Sequence, residues 1–197
     1  MKYILAIDPS LRSLGWALFK IKKQKDKKPK VSLFKSGQFK AADTTKDFKF
    51  YLLNRSGLPN PVLANKGIHD ANDWVLRIDY MTGKVYEAWC AWTQQCDDTT
   101  VVIELPYGAQ ANNAGDITKL TSLCFALREM FLIEDDVSQV YYAPVGVWKG
   151  QLSKELTQKR MNRLWGLTLD SKRADEADAV GIGSYYIREH LEMGCGK

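Results

Sequence analysis

The sequence lacks a long hydrophobic stretch, and this absence narrows the class of protein. No apolar segment approaches the roughly 18 residues that cross a bilayer. The first residues carry one Lys and a five-residue apolar run, which is too short for a secretory signal. We therefore expect a protein without membrane contact that works in the cytoplasm.

Histidine and paired cysteine are also scarce. The chain has only two His, His69 and His190, and none of its four Cys stands in a CxxC pair. A zinc site built from His and Cys is therefore not expected. We expect the cysteines to be reduced thiols rather than disulfides.

What the sequence does have is the composition of one globular domain with a substantial core. Its 197 residues are 45% hydrophobic and 26% charged, which is ordinary for a folded protein. We predict a single domain over residues 1–197, with an irregular insertion at about 40–68 where turn-forming residues cluster. The net charge of +5 is mild and is compatible with a polyanionic partner without requiring one.

A lysine-rich run is the strongest local bias in the chain. Seven of the eleven residues from Lys20 to Lys30 are Lys. One interpretation is a solvated hairpin tip whose charges prevent edge-to-edge aggregation, and another is an arm that contacts phosphates. Because the run has no aromatic residue, we favour the hairpin tip.

The first apolar segment, Tyr3 to Ile7, predicts a buried strand that ends in an acidic residue. It is apolar on both faces, so we expect helices to cover both sides. Asp8 follows directly, and Pro9 and Ser10 end the run. A lone Asp here is typical of a turn, where it bonds backbone N–H groups. Its role therefore depends on partners elsewhere in the chain.

Four further segments are predicted as strands. They span Gly15 to Phe19, Val31 to Phe39, Thr99 to Ile103, and Val137 to Ala143. The third strand is predicted antiparallel to the second. The fourth also ends in a carboxylate, Glu104. Chemistry in open α/β sheets gathers at the carboxyl ends of strands, so Asp8 and Glu104 are the first candidate site residues.

Apolar periodicity and N-capping residues predict four helices. They begin near Asp70, Ile117, Ser153 and Ala174. The first has an apolar stripe of Trp74, Ile78, Met81, Val85, Trp89 and Trp92. Despite its tryptophans, we assign this stripe to packing on the sheet rather than to base stacking.

The second predicted helix is apolar on two sides. One stripe consists of Ile117, Leu120, Cys124, Leu127 and Phe131, and the other of Leu123, Ala126 and Met130. We expect the sheet to cover the first stripe and another surface, such as a second subunit, to cover the other.

The last helix places Asp175 and Asp178 on one face, because they are three residues apart. If this helix crosses the two acidic strand ends, four carboxylates converge with Asp8 and Glu104. Such a cluster cannot stay ionised without cations. Mg²⁺ or Mn²⁺ suits carboxylate, water and phosphate ligands. Two such ions, about 4 Å apart, can activate water and stabilise the leaving oxygen of a displacement at phosphorus. The basic residues expected to hold a polyanion nearby are Lys149, Lys154, Lys159 and Arg160.

These motifs together resemble a known family. AIDPSLRSLGWALF resembles the opening of the RuvC-type Holliday junction resolvases, and VVIELPYGAQANNAGDITKL resembles their second motif. YAPVGVWKG resembles their Pro-x-x-Val-Lys segment, and ADEADAVGIG their closing Asp-x-x-Asp-Ala helix. The motifs stand in family order over residues 1–39 and 74–190. Ser10 departs from the usual Gly, residues 40–68 are longer than the family's link, and the segment from Lys149 to Lys154 is shorter.

The resemblance implies a ribonuclease H-like fold, in which helices flank a mixed five-stranded sheet. It implies a homodimer that cleaves four-way DNA junctions with divalent metal, and it makes Asp8, Glu104, Asp175 and Asp178 the metal ligands. Lys149, and to a lesser degree Lys154, match the family's basic active-site residues, and Tyr107 matches its DNA-contacting aromatic. The short, Lys-rich form is more similar to a bacteriophage or viral resolvase than to a cellular one.

Three other functions are compatible with parts of the sequence. A RuvC-like nuclease that cuts flaps, forks or other branched DNA would use the same carboxylates. An ATP-binding kinase domain of the actin-like superfamily also opens with a strand, an Asp and a glycine turn. It would need a second domain and Gly-rich phosphate loops, for which this chain has little room. A module that only binds DNA would not need four acids at strand and helix ends.

Overall fold

The computed structural model describes residues 2–24, 27–41, 46, 48, 69–93, 98–106 and 114–191. Most of the predicted insertion at about 40–68, as well as Tyr107, Cys96 and Cys195, lies outside these residues. The statements below refer to the described part of the chain.

Five strands form one mixed sheet. They are β1 (Lys2–Asp8), β2 (Ser13–Gln24), β3 (Lys27–Lys40), β4 (Asp98–Leu105) and β5 (Val137–Pro144). Their order across the sheet is β3-β2-β1-β4-β5. The first three strands are antiparallel neighbours, and β4 and β5 run parallel to β1. The apolar run of the first strand therefore lies at the centre of the sheet, where both of its faces are buried.

Helices cover both faces of this sheet. They are α1 (His69–Thr93), α2 (Ala114–Leu132), the short α3 (Val145–Trp148), α4 (Lys154–Trp165) and α5 (Ala174–His190), which a single 3-10 turn (Ser171–Arg173) precedes. The predicted fold class, a ribonuclease H-like mixed five-stranded sheet flanked by helices, is confirmed. Within the described ranges, no helix has the length and apolarity needed to cross a membrane.

Alternation along the strands divides the core into two layers. On one face, Leu5 and Ile7 pack with side chains of α1 and α2 such as Trp89 and Phe131. On the other face, the core consists of Ile4, Ala6, Phe19, Met161, Ile182 and neighbouring residues under α4 and α5. Burying apolar side chains on both faces is the main contribution to folding, and it holds α5 directly over β1 and β2.

The tryptophan stripe of α1 belongs to the core, as predicted. Met81, Val85 and Trp89 are buried, and the Trp92 ring lies 4.0 Å from the Trp16 ring between centroids. The two cysteines within the described residues, Cys90 and Cys124, are free thiols, which also agrees with the prediction.

The second apolar stripe of α2 is covered, as expected, but the cover comes from this chain rather than from a second subunit. Leu123 is fully buried in the same core cluster as Cys124 and Leu127, and Met130 packs against that cluster. The cover comes from α1, which packs against α2 and contributes Met81, Val85 and Trp89 to the same core cluster. The exposed apolar residues of α2 are instead Phe125, 54% exposed, and Leu132, 48% exposed.

Candidate active site

Two neighbouring strands bring Asp8 and Glu104 together. Strands β1 and β4 are parallel, with Ile7 paired with Ile103, so the next residue on each strand is one of these acids. Adjacent strands are about 4.8 Å apart, and the acids therefore lie side by side at the carboxyl edge of the sheet. Asp8 is 9% exposed, although it ends a strand.

Helix α5 adds the other two acids by a close backbone approach. A Cβ atom on Gly15 would lie 2.0 Å from the backbone oxygen of Asp175, so only glycine fits between β2 and the first turn of α5. Gly15 is the strand partner of Asp8. The glycine thus lets Asp175, and Asp178 one turn later, reach the acidic strand ends.

The pKa directions show that the four carboxylates share one site. Burial raises the pKa of Asp8 well above its usual value, and the charges of Glu104, Asp178 and Asp175 raise it further. Burial also raises the pKa of Glu104 to about 7, against a lowering effect of a hydrogen bond from Trp148. The pKa of Asp178 is raised by burial as well. The four carboxylates are therefore within electrostatic reach of one another, and their role as metal ligands stays a prediction.

Two lysines supply positive charge to this cluster. The Lys149 ammonium lies 2.6 Å from Oδ2 of Asp178, and only 11% of its side chain is exposed. The Lys154 ammonium lies 2.9 Å from Oδ1 of Asp175 and is more exposed. The predicted cap holds: the Ser153 hydroxyl accepts a hydrogen bond from the N–H of Leu156 and starts α4 next to the site.

Trp148 is a site residue that the sequence did not reveal. Its indole N–H donates a 2.8 Å hydrogen bond to Oε2 of Glu104. The ring packs against Gly181, where a Cβ atom would lie 2.6 Å from the ring. The indole is therefore fixed from behind by α5 and orients the carboxylate in front. In the sequence, only its position directly before Lys149 pointed to the site. No local sequence pattern predicts that a Trp will orient a distant carboxylate.

Glu176 was also missed, and it fastens α5 to the sheet. Its side chain is 1% exposed and receives hydrogen bonds from Nε and Nη2 of Arg173 at 2.7 and 2.6 Å. The Ser36 hydroxyl on β3 donates a third, at 2.6 Å. A buried carboxylate needs such partners to remain charged. Glu176 thus fixes the helix turn that carries Asp175.

Not every predicted basic residue joins the cluster. Lys159 pairs with Glu155 at 2.6 Å on the exposed side of α4. Arg160 is exposed and lines a cavity of about 300 Å³ between α3, α4 and α5. Neither residue is among the leading causes of the pKa changes in the acidic cluster. A contact of either residue with DNA stays a prediction.

The donor set of the cluster fits hard divalent cations. As the side chains stand, no group of three or more acidic, His or Cys residues in the described ranges is close enough to share an ion. Lysine ammonium groups lie on Asp178 and Asp175 instead, at 2.6 and 2.9 Å. Oδ1 of Asp178 is buried without a hydrogen-bond partner, and an oxygen of this kind is suited to ligate a metal.

Comparison with known proteins identifies the fold. No protein-family model matches the chain, and no curated protein matches it. Among solved structures, it is similar to Thermus thermophilus RuvC in complex with a Holliday junction substrate. That match has 15% identity, a TM-score of 0.60, and covers 98% of each chain. A second Thermus thermophilus RuvC structure matches at 16% identity and a TM-score of 0.56, covering 94% of this chain and 95% of that one. At this identity the likeness establishes the architecture: the chain has a RuvC-like fold.

Proposed function

We propose that this protein is a divalent-metal-dependent endodeoxyribonuclease that resolves four-way DNA junctions by paired nicks, acting as a homodimer. The observation that carries the proposal is the convergence of Asp8, Glu104, Asp175 and Asp178 at one edge of a RuvC-like sheet. Four acids brought together in this way serve no packing purpose, and the raised pKa values of Asp8, Glu104 and Asp178 are typical of a functional site. The junction in the complex of the similar RuvC supports the choice of substrate.

Each residue has a distinct part in this proposal. The four carboxylates would hold two Mg²⁺ or Mn²⁺ ions, which supply an activated water and stabilise the leaving oxygen. Lys149 and Lys154 lie among the acids, and their ammonium groups would bind the scissile phosphate and neutralise part of its charge. Trp148 holds Glu104 in one orientation. Lys159, Arg160 and Tyr107 are proposed to contact the DNA around the cut.

The proposed dimer would use the outer side of α2. A four-way junction has two-fold symmetry, and paired cuts need two active sites related by the same symmetry. Phe125 and Leu132 on α2, and Ile133 just after it, are 54, 48 and 80% exposed. Adjacent exposed apolar side chains of this size are typical of an interaction site.

A cleavage assay tests the function directly. End-labelled four-way junction, linear duplex, flap and single strand are incubated with the protein in Mg²⁺, in Mn²⁺ or in chelator. We expect symmetric paired nicks near the centre of the junction with either metal and none with chelator. Equal cleavage of flaps and forks would instead establish the broader branched-DNA nuclease. ATP hydrolysis without any cleavage would establish the actin-like alternative.

The role of Tyr107 is tested in the same assay. An aromatic face that stacks on an unpaired base contributes roughly 1–3 kcal/mol, so Tyr107→Ala should weaken junction binding or cleavage about ten- to a hundredfold. Tyr107→Phe keeps the ring and should behave as the wild type. A large loss of thermal stability in Tyr107→Ala would show that the ring packs in the fold instead. We place this activity in the cytoplasm, of an infected cell if the gene is of phage or viral origin.

A further inference from the structure

We propose that one face of the β2–β3 ribbon, distant from the acidic cluster, binds the phosphate backbone of a DNA duplex arm. This lysine face consists of Lys20, Lys22, Lys30 and Lys35. That the polyanion is DNA rests on the proposed function, but the surface and its chemistry follow from strand register, charge and exposure.

The charge of the two strands is of one sign. Strands β2 and β3 contain eight Lys and no Asp or Glu. The acid that contacts β3 is Glu176, which accepts from Ser36 on the opposite face of the ribbon and pairs with Arg173 at 2.6 Å. Beyond β1, Asp98 pairs with Lys2 at 3.2 Å. Among the described residues, these acids leave the charge of the lysine face available for an external anion.

Strand register places the four lysines on the same side of the sheet. In β2, Leu14, Trp16 and Leu18 point toward α1, and alternation puts Lys20 and Lys22 on that side too. Lys30 is the cross-strand partner of Lys22, and Lys35 is the partner of Leu18. Partners in an antiparallel pair share a face, so all four lysines share one.

A β-bulge adds an aromatic side chain to this face. The register shifts between Leu18 and Phe19, which leaves Phe34 as the extra residue of β3. Phe34 is 44% exposed, and the ammonium groups of Lys20 and Lys35 lie 5.5 and 5.6 Å from its ring centroid. The ring holds these two charges at the surface through cation–π contacts, where they are ordered for a ligand.

One pair of these lysines opposes folding. Lys22 and Lys30 stand directly opposite each other in the ladder, and both are exposed. Like charges in this position destabilise a strand pair. A phosphate backbone removes that repulsion when it binds. Edge protection alone would not need two lysines facing each other, because a single charge blocks pairing of an edge strand.

The distance from the active site defines which DNA the face can reach. Gly15 pairs with Asp8, and Lys20 and Lys22 lie five and seven residues further along β2. At about 3.3 Å per residue, they are about 17 and 23 Å from the acidic edge. This corresponds to about 5–7 base pairs of duplex at 3.4 Å each. The face therefore contacts an arm of the substrate and not the cut itself.

The first test is Lys30→Glu, alone and combined with Lys22→Glu. A carboxylate at position 30 faces Lys22, so Lys30→Glu should keep or raise the melting temperature while it weakens binding. A 30-base-pair duplex and a junction with 15-base-pair arms are titrated in chelator, so that nothing is cleaved. We expect about a tenfold increase in Kd at 0.1 M salt for the double variant, and a salt slope reduced by about one unit per lysine.

Two controls distinguish binding by the lysine face from a general effect of net charge: a matched charge variant and junctions with short arms. The double variant Lys84→Glu with Arg188→Glu changes the net charge by the same amount on other surfaces. Its Kd for every substrate should differ from that of the wild type by no more than about twofold. Junctions with hairpin-capped arms of about 5 base pairs cannot reach Lys22 and should bind the wild type and the lysine-face variants alike. Cleavage of these short junctions should be unaffected.

Several results would overturn the proposal. If the lysine-face variants have the wild-type Kd for long arms, the face is only a solvated edge. If they lose equal affinity for short and long arms, the loss does not come from a contact with the distant part of the arm. If the variants lost binding only to vesicles rich in anionic phospholipid, the partner would be a membrane surface. A wild type that cuts no junction would refute the proposed function alone, because duplex binding would still test the lysine face.

Discussion

At the residue scale, the site depends on acids whose charges are only partly compensated. Asp8 is nearly buried beside three other carboxylates, and its own strand offers it no cation. Lys149 and Lys154 pair with Asp178 and Asp175, yet burial still raises the pKa values of Asp8, Glu104 and Asp178. The structure shows no ion pair of this kind for the two strand-end acids within the described residues, and we expect these acids to be sensitive positions for substitution.

Asp8→Asn and Glu104→Gln should each abolish cleavage and preserve junction binding. Each change removes a ligand charge without altering side-chain size, whereas DNA is held by separate basic groups. Single-turnover cleavage and a binding titration in chelator measure the two properties. Substantial cleavage by Asp8→Asn in Mg²⁺ would refute the assignment of Asp8 as a metal ligand.

Trp148→Phe should slow cleavage roughly tenfold, because it removes the one hydrogen bond from the indole to Glu104 while keeping a ring against Gly181. Trp165→Phe is the matched control, since that indole donates to the Ser184 hydroxyl at 2.8 Å, away from the acids. Both variants should lose similar stability in thermal melts. Equal cleavage rates for the two variants would show that Trp148 has no role in the active site.

The carboxyl cluster predicts an unusual pH dependence of stability. A carboxyl whose folded pKa is raised stabilises the fold below its unfolded pKa, and that stability is lost as pH rises through the folded value. For Glu104 the window runs from about 4.5 to about 7, and Asp8 and Asp178 act in the same direction. Asp98 has a lowered pKa, so it titrates below this window.

In chelator, we therefore expect the melting temperature to fall by roughly 5–10 °C between pH 5 and pH 7.5. Mg²⁺ or Mn²⁺ should reverse most of the fall, because metal binds the ionised acids. Glu104→Gln should show a smaller fall than the wild type. Scanning calorimetry at several pH values provides the measurement, and a melting temperature that rises over this range would contradict the account of the cluster.

At the scale of elements, the first turn of α5 decides the geometry. It lies against Gly15 on β2, is tied to Ser36 on β3 through Glu176, and carries Asp175 itself. Both contacts join this helix turn to strands from the opposite end of the chain. An element held in this way positions its acids more accurately than a loop would.

Glu176→Gln should raise the Mg²⁺ concentration for half-maximal cleavage about three- to tenfold, beyond any loss of stability. The amide cannot accept the full set of bonds from Arg173 and Ser36, so the turn that bears Asp175 is less well fixed. Glu155→Gln removes an exposed acid of α4 and should leave the metal dependence unchanged. If both variants have the wild-type metal dependence, Glu176 is only a stabilising residue.

The sequence predicted the elements better than the contacts between them. The strand ending at Asp8, the cap at Ser153 and the spacing of Asp175 and Asp178 are local patterns, and local patterns are visible in a single sequence. Trp148 bonds a residue 44 positions away, and Ser36 bonds one 140 positions away. No periodicity encodes such pairs, and for the same reason the second stripe of α2 did not reveal that α1 would cover it.

At the scale of the whole molecule, assembly is the main untested expectation. We predict a two-fold dimer at micromolar concentration, measured by light scattering with and without junction. Phe125→Glu should shift the dimer toward monomer, because a charge at this position opposes apolar contact between the subunits. The two nicks in one junction should then no longer be coupled. Leu156→Glu, at an exposed apolar residue of α4, serves as the control. A wild type that is monomeric even on the junction would refute the dimer.

The Gly15–Asp175 contact also has a consequence for biosynthesis. A ribosome that has released the chain through α4 has exposed all five strands but only half of the acids, since Asp175 and Asp178 follow later. The proposed active site is therefore incomplete until the last helix has docked on the first hairpin. Dividing the chain at the exposed Gly166 should yield two inert pieces whose recombination restores the proposed cleavage activity, as in a split enzyme.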